Sequence, residues 1–108
     1  MKILMQDLNE FYGENVRLVK TLMKREFPYE YPELMKWKVQ MLYLYGKDWV
    51  EVCRIDNYPH ENKVVSHIHV HSREEVTWVW MTFEEAEKAI IDIGARVIRQ
   101  EFNEDIDL

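Results

Sequence analysis

Four histidines, the only four in the chain, stand within residues 60–71 of a 108-residue protein. His60 follows a proline, in the run Arg54-Ile-Asp-Asn-Tyr-Pro-His60. His67, His69 and His71 alternate with Ile68 and Val70. That alternation is the period of a β-strand, whose successive side chains point to opposite faces. It predicts Ile68 and Val70 against a core and three imidazoles on the other face. A solvated strand face has no packing need for three histidines in register.

Histidine is the side chain that titrates nearest neutral pH, so a pair of imidazoles can serve as base and acid. Cleavage of RNA at the 2′-hydroxyl needs such a pair and a cation for the phosphate. His60, His67, His69 and His71 are the candidate proton-transfer groups, with Asp56 to orient one ring. Arg54, Asn57 and Lys63 are the candidate substrate contacts. This reading needs no metal and no cofactor. A metal centre is the competing chemistry. Two strand imidazoles at i and i+2 lie about 7 Å apart and can converge on one ion, but three at i, i+2 and i+4 span about 13 Å. The spacing weakens a single site unless His60 or Asp56 completes it. A plain structural role also stands. Asp56-Asn57-Tyr58-Pro59 is a good turn that His60 would merely solvate, and the strand histidines would pair with Glu51, Glu75 or Asp56.

The elements that must position these residues are read from the whole chain. Its hydrophobic content of 47% with four tryptophans supports a core in one domain, residues 1–108. Cys53 is the only cysteine, which removes a disulfide framework and a cysteine-based zinc site. The net charge of −6 argues against a general nucleic-acid binder, though not against a nuclease. No apolar run approaches a membrane span, and charge interrupts the first residues too early for a signal peptide. The expectation is a cytoplasmic protein.

Residues 1–27 read as a helical section. Ile3, Leu4, Leu8, Phe11 and Tyr12 recur at three- and four-residue steps, and Val16, Val19, Leu22 and Met23 follow beyond Gly13. Two prolines at 28 and 32 break that pattern. Residues 36–81 read as a β meander with strands at 37–45, 49–56, 64–71 and 76–80. Thr82-Phe-Glu-Glu85 is a capping box that opens a C-terminal helix over 82–101. An acidic tail, 102–108, is expected to fray. The predicted class is α+β: a four-stranded antiparallel sheet with the N-terminal helical section and the C-terminal helix packed on one face.

The Arg54-x-Asp56-Asn57-x-Pro59-His60 core, the later His67-x-His69-x-His71 run and the Thr-led helix together resemble the TumE-type toxins of prokaryotic toxin–antitoxin pairs. The resemblance covers about residues 37–100. Where those toxins often carry an aromatic residue before Asp-Asn and a second histidine after the first, this chain has Ile55 and Glu61. The resemblance implies a cytoplasmic toxin with a cognate antitoxin, often a helix-turn-helix protein, as partner. The histidine chemistry, rather than the resemblance, makes RNA the expected substrate of a metal-independent endoribonuclease; a homodimer is a further expected assembly. The alternatives are a non-catalytic domain that docks an antitoxin or another protein, and a protein that binds metal through its histidines.

Overall fold

A computed structural model describes residues 1–108. Six strands run in chain order across one antiparallel sheet: β1 (Lys2–Tyr12), β2 (Val16–Lys24), β3 (Met35–Tyr45), β4 (Asp48–Asp56), β5 (His67–Val70) and β6 (Thr77–Trp78). One helix, α1 (Phe83–Glu101), follows and packs on β3 and β4.

The N-terminal part corrects the sequence reading. Residues 1–27 hold no helix; β1 and β2 form a hairpin, and the sheet has six strands rather than four. The hairpin turns at Gly13, whose φ of +73° suits glycine. Two features hid the strand period. The β1 register shifts on either side of Met5, with Asp7 at φ +46°, and such a bulge breaks the alternation into helix-like steps. In β2, Val16, Leu18, Lys20 and Leu22 alternate on the face toward α1, with a lysine standing in the apolar row. Lys20 is 6% exposed; its Nζ lies 2.8 Å from Glu10 Oε2 on β1 and 2.7 Å from Glu87 Oε2 on α1. A buried amine is tolerated when paired in this way.

The remaining elements follow the expected pattern more closely. In β3, Trp37, Val39, Met41 and Tyr43 are buried and alternate with half-buried Lys38, Gln40, Leu42 and Leu44. Val39 faces Ile55 and Met41 faces Cys53 on β4. A bulge after Met41 lets Val52 bury as well. The expected 64–71 strand is regular only over His67–Val70, and the 76–80 strand only over Thr77–Trp78. Ser66 ties these short strands: its hydroxyl donates to the Val79 carbonyl and accepts from the Met81 amide.

The helix has its capping box: the Glu85 amide donates to Thr82 Oγ1 at 3.1 Å, and the Thr82 amide to Glu85 Oε1 at 3.0 Å. Phe83, Ala86, Ile90, Val97 and Ile98 bury against the sheet. Gly94 allows the closest approach, because a Cβ built there would lie 2.1 Å from Met41 Sδ. The start of the tail is not loose. Phe102 packs 5.2 Å from the Tyr43, Tyr45 and His71 rings, and Ile106 touches the core.

Candidate functional site

The site lies on the sheet face opposite α1, where β4, β5 and β6 adjoin. In register, Asp56 faces His67, Arg54 faces His69 and Trp78 faces His67. Ile68 and Val70 point the other way, to the core, as their alternation predicted. His67 is 1% exposed.

His60 arrives from the loop. Its amide donates to the Lys63 carbonyl at 2.9 Å, and the Lys63 amide returns the bond at 3.0 Å. Glu61 and Asn62 between them sit at φ +51° and +64°, the geometry of a tight two-residue hairpin turn. This turn folds His60 back over the strand. Its ring centroid lies 5.1 Å from His67, 5.3 Å from His69 and 5.6 Å from Trp78. One ring nitrogen from each of His60, His67 and His69 lies within 4.8 Å of the others. These three are the residues able to hold a metal ion.

His71 does not join them. The strand ends at Val70, and Ser72 turns at φ +66°. His71 Nδ1 lies 2.6 Å from Glu101 Oε2, at the end of α1. The period of two placed it with His67 and His69; the end of the strand removes it.

Asp56 sits beneath the cluster, 3% exposed. Its Oδ1 accepts from the Tyr58 amide at 2.8 Å and lies 3.3 Å from His67 Nε2. Its Oδ2 lies 3.2 Å from Arg54 Nε and 3.7 Å from His69 Nε2. Burial pushes the His69 imidazole down to about 4, the Arg54 charge adds to this, and Asp56 only partly opposes them. His69 is therefore neutral at pH 7.

Asn57 contributes no surface. It is 0% exposed; its Oδ1 accepts from the Trp37 amide, and its Nδ2 donates to the Met35 carbonyl and to Glu33. The expected substrate contact is replaced by a bracket that fixes the end of β4 to the start of β3. Tyr31 adds to the bracket by donating to the Asn57 carbonyl. Lys63 is at the rim, its Nζ 5.2 Å from the centroid of the Trp78 ring.

A shallow depression of about 250 Å³ opens over the cluster, walled by Lys38, Arg54, Tyr58, Pro59 and the three imidazoles. Lys38, Tyr58 and Trp78 were not singled out from the sequence. The alternation of β3 carries the signal for Lys38, since it sets Lys38 and Gln40 on the polar face. Burial raises the Tyr58 hydroxyl above its ordinary value, and the Asp56 charge raises it further. No helix of the protein is long and apolar enough to cross a membrane. The chain matches none of the known families, curated proteins or solved structures compared with it.

Proposed function

We propose that the protein cleaves RNA phosphodiester bonds at the His60–His67–His69 cluster, as the toxin of a toxin–antitoxin pair. The observation that carries the catalytic part is the convergence of three imidazoles over Asp56 in a depression walled by Arg54 and Lys38. Internal cleavage needs a group to take the proton of the 2′-hydroxyl, a donor for the departing 5′-oxygen, and positive charge at the phosphate. Arg54 and Lys38 supply the charge, and Lys63 adds to it from the rim. One exposed imidazole of the cluster takes the proton of the 2′-hydroxyl, and a second gives a proton to the departing 5′-oxygen. His60 and His69 have the exposed edges, with 33% and 24% of their side chains accessible. The toxin role and its antitoxin partner rest on the resemblance at Arg54–His60 and His67–His71.

The test is expression in cells and cleavage of RNA by the purified protein. Growth should stop on expression, and His60→Ala with His69→Ala should restore it while the protein stays folded. A folded double variant that still arrests growth or cleaves RNA would overturn this reading.

A second reading has its own observation. On the side of the sheet that carries α1, an apolar cleft of about 540 Å³ is lined by Leu22, Leu34, Met35, Trp37, Trp80 and Phe83, with Glu33 and Glu84 among its remaining walls. Trp80 is 68% exposed. Such a surface suits a protein partner. An antitoxin would dock there without covering the histidines. The free edge of β1, with Ile3, Leu4, Leu8 and Phe11 exposed, is the surface a second copy would use.

A further inference from the structure

We infer that His60, His67 and His69 bind one divalent transition-metal ion of the zinc type, with a coordination position left open toward the depression. The inference deepens the reading of this site as a phosphodiester-cleaving centre, and replaces the metal-free mechanism expected from the sequence.

The first argument is the direction of the lone pairs. His67 Nδ1 lies 2.8 Å from the Val65 carbonyl, which can only accept, so Nδ1 carries the hydrogen. In the neutral ring Nε2 is then bare. It faces Asp56 Oδ1 at 3.3 Å, an oxygen that also only accepts when ionised. Both residues are nearly sealed from water. Two acceptors in such contact need a positive centre near them. The Tyr58 amide donates to Oδ1, and Arg54 brings its charge within 3.2 Å of Oδ2, though its Nε makes no hydrogen bond; neither answers His67 Nε2.

A proton on His67 would satisfy that nitrogen alone. It would not explain His60. The loop places two non-glycine residues, Glu61 and Asn62, in left-handed backbone to fold that ring onto its neighbours. If the clustered rings were charged, they would repel one another. An ion shared by bare ring nitrogens turns the same closeness into bonding.

The second argument is distance. Four-coordinate zinc with bonds of about 2.0–2.1 Å sets ligand atoms about 3.4 Å apart. The three nitrogens lie within 4.8 Å of one another, so small ring rotations close the site. Val65 fixes the tautomer of His67 through its other nitrogen, the usual outer support of a metal-bound imidazole. Asp56, 3.3 Å from His67 Nε2 and 3.7 Å from His69 Nε2, supplies negative charge for the ion. A set of imidazoles without thiolate suits zinc, nickel or copper rather than magnesium or calcium. Three protein ligands with an open place are the pattern of catalytic rather than structural zinc. Arg54 and Lys38 beside that place oppose a bare cation and favour an anionic ligand on it, as a phosphodiester would be.

Tag-free protein, stripped with chelator, is titrated with Zn²⁺ by calorimetry and with Co²⁺ by visible absorption. One ion per chain and the intense bands of low-coordinate cobalt are expected. His60→Ala and His69→Ala should each weaken binding by about 100-fold or more, and Asp56→Asn by about 10–100-fold. His71→Ala should bind as the unaltered protein does. The His60 change lies in a loop and leaves the core intact, so it tests the site even if His67 variants fail to fold. No binding, or equal binding by the His60→Ala and His69→Ala proteins, overturns the inference. RNA cleavage that persists in chelator without bound ion also overturns it, and leaves the phosphodiester reading standing. Bound ion without RNA cleavage does the reverse.

Discussion

Asp56 Oδ1 lies 3.3 Å from Nε2 of His67, and both side chains are almost fully buried on neighbouring strands. This pair is the base on which the partly exposed members of the site rest. Asp56 also accepts from the Tyr58 amide and lies 3.2 Å from Arg54 Nε, so a single carboxylate joins the loop, β4 and β5.

Replacing Asp56 with alanine should therefore cost stability as well as function. It leaves the Tyr58 amide without its acceptor and takes the carboxylate away from His67 Nε2 and Arg54, and breaking a buried charged pair costs about 3–5 kcal/mol. Asparagine keeps an acceptor for Tyr58 and should cost clearly less. Urea unfolding of both variants checks this. Equal midpoints for the two would mean that the carboxylate charge, not its hydrogen bonds, holds the loop.

Lys20 should shape the pH dependence of stability. Burial works against its charge, but the hydrogen bonds it donates to Glu10 and Glu87 outweigh it and hold the amine above its ordinary 10.5. The same bond with Lys20, with help from Tyr12, holds Glu10 below its ordinary 4.5. A raised amine stabilises fully below 10.5, and that contribution fades as pH rises through the folded value. A lowered carboxyl stabilises above 4.5, and fades as pH falls through its folded value. Lys20→Met should flatten both limbs of a plot of urea midpoint against pH. An unchanged profile would count against the triad.

Gly94→Ala tests the contact between α1 and the sheet. Met41 is fully buried, so its sulfur has little room to retreat from a new Cβ. The cost should be about 1–3 kcal/mol. In a Met41→Val background the clash is gone, and alanine should gain up to about 1 kcal/mol from helix propensity. A double-mutant cycle by thermal melting measures the coupling; simple additivity would show that the sulfur moves freely.

Cys53 should be inert while the protein is folded. It is 1% exposed, and burial, with some help from Glu51, pushes its thiol up to about 12. The thiolate is the reactive form. Labelling with a thiol reagent at pH 8 should therefore track unfolding in urea. Fast labelling of native protein would show that β4 opens locally.

Part of this architecture was legible in the chain. The helix was readable because its signals are local: Thr82 and Glu85 cap it, and Phe83, Ala86, Ile90 and Val97 mark one face. The β3–β4 hairpin was readable from alternation and the turn at Gly46. The first 27 residues were not. A bulge near Asp7 and a lysine in the apolar row of β2 break the period that a strand would otherwise show.

The site divides along the same line. The sequence by itself determined that Ile68 and Val70 face the core, that His67 and His69 share the other face, and that the Asp56 side chain bonds the backbone just beyond it; the tight turn itself lies later, at Glu61 and Asn62, rather than at Asp56–Pro59. Backbone period and turn chemistry settle such matters within a few residues. Only the tertiary structure decided that His60 folds onto that face while His71 leaves it for Glu101, that Asn57 is a buried bracket, and that Lys20 is held by Glu10 and Glu87. Each of these depends on where a strand ends or on a partner far along the chain. Spacing within one element carries no record of either.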